Sequence, residues 1–141
     1  MRTTRVFWLL LCVGGCQPPS GIDARAEVYV LRSLAGQNLP APLTSNPASS
    51  SRIIADTLAF SEGGVGEHRG AYEAPGTGLW TVRTPFTYVR TGDRVEISLR
   101  CDDQASCVAP PHYVGRFTAT ELLIDQSNVF RVPLRFELGT R

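Results

Sequence analysis

Apolar and polar residues alternate along most of this chain. From Arg94 to Cys101, Val95, Ile97, Leu99 and Cys101 share one side, and Glu96, Ser98 and Arg100 share the other. From Val129 to Leu138, Phe130, Val132, Leu134, Phe136 and Leu138 point one way, and Val129, Arg131, Pro133, Arg135 and Glu137 point the other. A period of two is the mark of an antiparallel strand with one face on a core and one in water. The same reading predicts strands over Glu27 to Leu34, Ile53 to Ser61, Val65 to Tyr72, Leu79 to Thr84 and Phe86 to Arg90. His112 to Thr118 and Glu121 to Asp125 form another hairpin. Gly63-Gly64, Ala74 to Gly78 and Thr91-Gly92-Asp93 are the turns between them. Pro85 is expected to break or bulge its strand. Leu39 to Ser51, with its prolines and serines, is a long loop. No window carries a sustained helical period.

About eight short strands at this spacing give an all-β antiparallel fold, either a barrel or an open β-sandwich. Pro133 counts against full closure, because a proline inside a strand removes one ladder donor. It belongs at an edge, at a bulge, or with its missing N–H toward solvent.

The first residues follow a different rule. Arg2 and Arg5 precede an apolar run from Val6 to Val13, which ends in Gly14-Gly15-Cys16. A basic start, a short apolar run and a small-residue exit make a secretory signal. The run is far shorter than the ~20 residues of a spanning helix. Gln17 to Ala26 is a tether of Pro, Gly, Ser and charge. The chain therefore divides into a signal (1–15), a tether (16–26) and one domain (27–141).

Val13-Gly14-Gly15-Cys16 resembles the lipobox of bacterial lipoproteins. That resemblance implies lipidation of the Cys16 thiol and cleavage before it. Several acyl chains on one residue make a stable membrane anchor. The location implied is the bacterial cell envelope, and Gln17 fits outer-membrane rather than inner-membrane sorting in a Gram-negative cell. With Cys16 lipidated and Cys12 removed, Cys101 and Cys107 remain. In an exported protein such a pair reads as one disulfide. Two thiols without histidines at ligand spacing make a poor metal site.

A second resemblance lies in the body. Tyr29-Val30-Leu31-Arg32-Ser33, Gly36-Gln37-Asn38-Leu39-Pro40, Ala55-Asp56-Thr57-Leu58 and Gly78-Leu79-Trp80-Thr81-Val82 are similar to phrases of small lipocalin-like bacterial lipoproteins. The resemblance implies a meander closed into a lipocalin-like barrel, with Leu39 to Ser51 partly covering its mouth.

Composition then narrows the function. With 141 residues and 43% hydrophobic side chains, the chain has enough apolar material for one core. All 14 basic residues are Arg, against 13 acids, so no charge bias names a partner and nucleic-acid binding is not expected.

No nucleophile elbow, metalloprotease helix or phosphate loop is present. His68 and His112 read as surface histidines rather than as a base or metal ligands. Asp102-Asp103 reads as a solvated hairpin tip rather than a calcium site. Arg32, Arg83, Arg100, Arg131 and Arg135 fall on outer faces, where they solvate the sheet or meet lipid headgroups. Trp80, Phe60, Phe130 and Phe136 are the candidate lining of an apolar ligand site, and the same residues are equally candidates for core. Trp80 is expected to point inward beside Val82.

The expected function is a non-enzymatic, cofactor-free envelope lipoprotein with a structural or protein-interaction role. The alternative is a binding module for a small apolar ligand at the barrel mouth.

Overall fold

The structure, a computed structural model, describes residues 26–43, 51–101 and 109–140. The strands are β1 (Glu27–Leu34), β2 (Gln37–Asn38), β3 (Ala41–Pro42), β4 (Arg52–Ser61), β5 (Val65–Ala74), β6 (Gly78–Thr91), β7 (Arg94–Leu99), β8 (His112–Phe117), β9 (Glu121–Ser127) and β10 (Leu134–Leu138). No helix occurs among the described residues.

Eight of these strands run up and down in chain order and close into an antiparallel barrel. β1 makes the closure. Tyr29 pairs with Leu138 of β10 on one side and with Leu58 of β4 on the other. The short β2 and β3 add to β1 and β4 outside this ring. The open sandwich is therefore excluded.

The interior is the apolar face that the alternation predicts. Val95, Ile97 and Leu99 of β7 are buried, as are Leu134 and Phe136 of β10. Phe86, Phe136, Leu31, Ile53, Leu58 and Leu122 are among the largest side chains with essentially no exposure. Gly66 faces inward, and a Cβ there would lie 2.2 Å from the Phe86 ring and 2.4 Å from the Ala59 carbonyl oxygen. The space a side chain would take at Gly66 is thus already filled.

The two ends of the barrel differ. One holds the start of β1 and the β4–β5, β6–β7 and β8–β9 turns. It is sealed by aromatic rings: Phe60 contacts Tyr29, Phe86, Tyr88 and Phe117 at centroid distances of 5.0–5.7 Å. The Arg90 guanidinium sits 4.5 Å over the Phe117 ring. The other end holds the β5–β6 turn and the β1–β4, β7–β8 and β9–β10 connections. Trp80, Phe130, Leu39 and Leu43 pack there, half-buried, against the core.

Both prolines depart from expectation. Pro85 neither breaks nor bulges β6, which runs on without a register shift from Gly78 to Thr91. The Pro85 carbonyl accepts from the Arg100 N–H at 2.9 Å, so its nitrogen faces the end of the β7 ladder. There it forfeits one terminal bond and none to β5. Pro133 does not lie inside a strand. It precedes β10, and its carbonyl accepts from the Ala35 N–H at 2.9 Å. Closure therefore costs no ladder bond there. The strand expected from Val129 starts only at Leu134. Phe130 projects from the β9–β10 connection, while Val132 and Leu138 are exposed rather than inward.

Candidate functional site

A polar pair is buried halfway along the barrel. On β4, Leu58 and Phe60 face inward, and a period of two carries Asp56 inward with them. A register shift between Ile53 and Ala55 lets Ile53 face inward as well, three residues away. On β5, His68 and Tyr72 alternate with outward residues and are flanked by the inward Gly66 and Gly70.

The His68 Nε2 lies 2.9 Å from the Asp56 Oδ2, and both side chains are buried. The Tyr72 hydroxyl reaches the same oxygen at 3.4 Å. Among the described residues, Asp56 Oδ1 and His68 Nδ1 find no hydrogen-bond partner. An unsatisfied buried polar atom costs about 1–3 kcal/mol. Burial pushes the Asp56 carboxyl above its usual range, and the hydrogen bond and charge of His68 only partly offset this. Burial, reinforced by the Asp56 charge, raises the Tyr72 and Tyr113 phenols. In the neutral imidazole with Nε2–H donating to Asp56, Nδ1 is an acceptor, whereas in the cation both nitrogens donate. An aspartate that orients a histidine is half of a proton relay, but no described hydroxyl reaches Nδ1.

Tyr72 connects this pair to the open end. A Cβ on Gly70 would lie 2.4 Å from the Tyr72 ring, so that ring occupies the room Gly70 leaves. Its face stacks on Trp80, with centroids 5.7 Å apart and planes 25° from parallel. Across the mouth, Tyr113 meets Phe130 at 6.4 Å. The open end is thus a shallow aromatic rim above a buried polar pair.

The four aromatics expected to line one ligand site are not brought together. Trp80 and Phe130 share the open end. Phe60 belongs to the aromatic seal at the opposite end, and Phe136 is buried in the wall opposite Leu31 and Leu122. Phe60 and Phe136 are core. Trp80 does point inward beside Val82, and both are half-buried.

His68 corrects the sequence reading: it is a buried partner of Asp56, not a surface histidine. His112 is half-buried, with its Nδ1 3.2 Å from the Ser98 hydroxyl. Asp56 is not among the residues the sequence singles out for a site, although its place in the inward phase with Leu58 and Phe60 signals it.

On the outer face, ion pairs hold Arg32 to Glu137 at 3.0 Å and Arg83 to Glu67 at 2.6 Å, and hold Arg135 to Glu121. For the Glu67 carboxyl, burial pushes upward, but its bonds to Arg83 and Arg69 outweigh that and hold it below its usual range. Arg100 and Arg131 are exposed. Cys101 follows β7 and is half-buried. Cys16, Cys107 and Asp102-Asp103 lie outside the described residues. Among the described residues no three His, Cys, Asp or Glu side chains group to hold a metal.

No protein-family model, curated protein or solved structure matches the chain.

Proposed function

We propose that this protein is a non-enzymatic lipoprotein of the bacterial envelope, anchored through lipidated Cys16, whose lipocalin-like barrel serves as a protein-interaction or structural module. The observation that carries this reading is the filled interior. The inward glycines that would open a cavity, Gly66 and Gly70, are covered by the Phe86 and Tyr72 rings. A barrel of eight strands has room for its own side chains or for one small ligand, and here the side chains take it. Work is then left to the outer surface and the rim.

The anchor rests on the Val13-Gly14-Gly15-Cys16 order. Intact-mass measurement of the membrane-purified protein tests it. A mature chain starting at acylated Cys16 is expected, and Cys16→Ser is expected to leave an unprocessed precursor. An unmodified Cys16 in that preparation overturns it. A Cys101–Cys107 disulfide belongs to the same reading of an exported chain. Thiol titration of the unreduced, denatured protein is expected to find neither cysteine reactive.

The second reading, a small apolar ligand at the mouth, is favoured by one feature: the half-buried Trp80 stacked on Tyr72 at the open end. Saturable quenching of Trp80 fluorescence by a fatty acid would move the balance to ligand carriage.

A further inference from the structure

Three contacts join the buried pair to the rim. The Asp56 Oδ2 takes both the His68 Nε2, at 2.9 Å, and the Tyr72 hydroxyl, at 3.4 Å. The Tyr72 ring occupies the room over Gly70 and stacks on Trp80, with centroids 5.7 Å apart. Tyr72 and Trp80 are also partners in the β5–β6 ladder, so the stack is fixed to the wall at its base. What remains free to vary is how firmly Oδ2 holds the far end of the Tyr72 ring. A change there is felt at Trp80.

Only one partner in that bond changes charge. Burial and the Asp56 charge raise the Tyr72 phenol, so it stays a donor. The Asp56 carboxyl titrates, and burial moves its ionisation upward from the usual carboxylate range. A carboxylate accepts more strongly than a carboxylic acid, because charge-assisted hydrogen bonds are shorter and roughly twice as strong. Few other titratable groups face the pair. Tyr113 of β8 does, and its phenol is raised in the same way. Tyr29 of β1 belongs to the aromatic seal at the other end. Among the described residues β1, β6, β7, β9 and β10 bury no acid or base, and Ser33 is the one further buried polar side chain besides the tyrosines. Glu67, Arg69 and Glu73 lie on the outer face of β5. His112 lies on the outer face of β8, against the Ser98 hydroxyl.

We propose that Asp56, Tyr72 and Trp80 form a pH-sensitive relay, in which ionisation of the buried carboxyl tightens its bond to the Tyr72 hydroxyl and so sets the Tyr72–Trp80 stack at the rim. Raising the pH firms the rim, while the buried charge costs the fold as a whole. The two effects act on different parts of the barrel: the first on one ring stack, the second on the balance between folded and unfolded chain. The relay goes beyond the interaction-module reading, since it operates whatever the rim meets.

The test follows NMR signals of the full chain from about pH 4 to about pH 9, a span that covers a raised carboxyl and a histidine. The signals are the His68 ring C–H and the Trp80 indole N–H, the latter assigned by its loss in Trp80→Phe. The Trp80 signal is expected to shift with pH and to share a midpoint with His68, as coupled groups do. The cross-ring NOE between Tyr72 and Trp80 is expected to strengthen above that midpoint. Asp56→Asn is expected to abolish the Trp80 shift. Tyr72→Phe keeps the ring and removes the hydroxyl, so His68 is expected still to titrate while Trp80 no longer follows. That variant leaves the pair intact and serves should Asp56→Asn fold poorly. A Trp80 signal that does not move with pH, or that moves as before in Tyr72→Phe, overturns the proposal. So does a cross-ring NOE that weakens above the midpoint. A Trp80 titration that vanishes in His112→Gln overturns it too, by tracing the effect to the outer face.

Discussion

His68 and Asp56 meet side chain to side chain, Nε2 to Oδ2 at 2.9 Å, between paired strands that turn both residues into the barrel. Each keeps one polar atom without a partner among the described residues. That makes the pair the least satisfied part of a mostly apolar described interior, and a place where pH is expected to act on the fold.

The sign of that pH effect follows from the carboxyl. Burial raises the Asp56 pKa above its ordinary value of 3.8. An acid whose folded pKa is raised favours the folded state fully below the unfolded pKa, and that contribution is lost as pH rises through the folded pKa. Asp56→Asn removes the carboxylate and keeps the shape. Urea unfolding between pH 4 and 7 is expected to show the wild type losing stability relative to Asp56→Asn as pH rises. Parallel curves would contradict the assignment.

The β1–β2 turn offers a stabilising change. Ala35 has φ 52° and Gly36 has φ 77°, so a residue with a Cβ sits in the left-handed region. Ala35→Gly is expected to remove strain, with a gain of up to about 1 kcal/mol that the greater chain entropy of glycine reduces. Ala35→Val is expected to lose stability. Thermal melts of the two variants should move in opposite directions.

Phe86 and Gly66 form one packing unit. Phe86→Ala is expected to cost about 3–5 kcal/mol by leaving a cavity. Gly66→Ala is expected to destabilise by overpacking against the Phe86 ring and the Ala59 carbonyl. The double change Gly66→Ala/Phe86→Ala is expected to cost less than the sum, since the added methyl enters the vacated space. An additive double-mutant cycle would show the two sites to be independent.

Trp80 is half-buried, so its loss is milder than a core tryptophan's. Trp80→Ala is expected to cost about 2 kcal/mol, roughly half the value for full burial. In the proposed mature form, which lacks Trp8, it is the single indole, and its emission is expected at intermediate wavelength, moving red on unfolding. Emission already at the water-exposed position in the native state would place it off Tyr72.

Much of the architecture was legible because a strand's period is rigid. The inward phases of β7 and of Leu134 and Phe136 in β10 followed directly from alternation. The misreadings have specific causes. Alternation alone carries the phase of β10 back through Val129, but the chain forms a connection there and the strand begins only after Pro133. Pro85 looked disruptive because the sequence does not reveal which neighbour its nitrogen faces. The aromatics were grouped by type, whereas the barrel sends Phe60 and Trp80 to opposite ends. His68 reads as a surface residue because its neighbours in sequence, Glu67 and Arg69, are charged and belong to the outer face. Its phase with Gly66, Gly70 and Tyr72 put it inside.

The chain enters the barrel at the aromatic-sealed end, where Glu27 begins β1 and pairs with Phe60. That fixes a polarity. Anything that holds the protein by the residues before Ala26 grips it beneath the Tyr29–Phe60–Phe117 cluster. The Trp80–Phe130 rim then lies at the far pole, roughly a strand length away, about 20–25 Å. A holdfast before Ala26 therefore acts on the sealed pole, and the rim is the part of the barrel farthest from it.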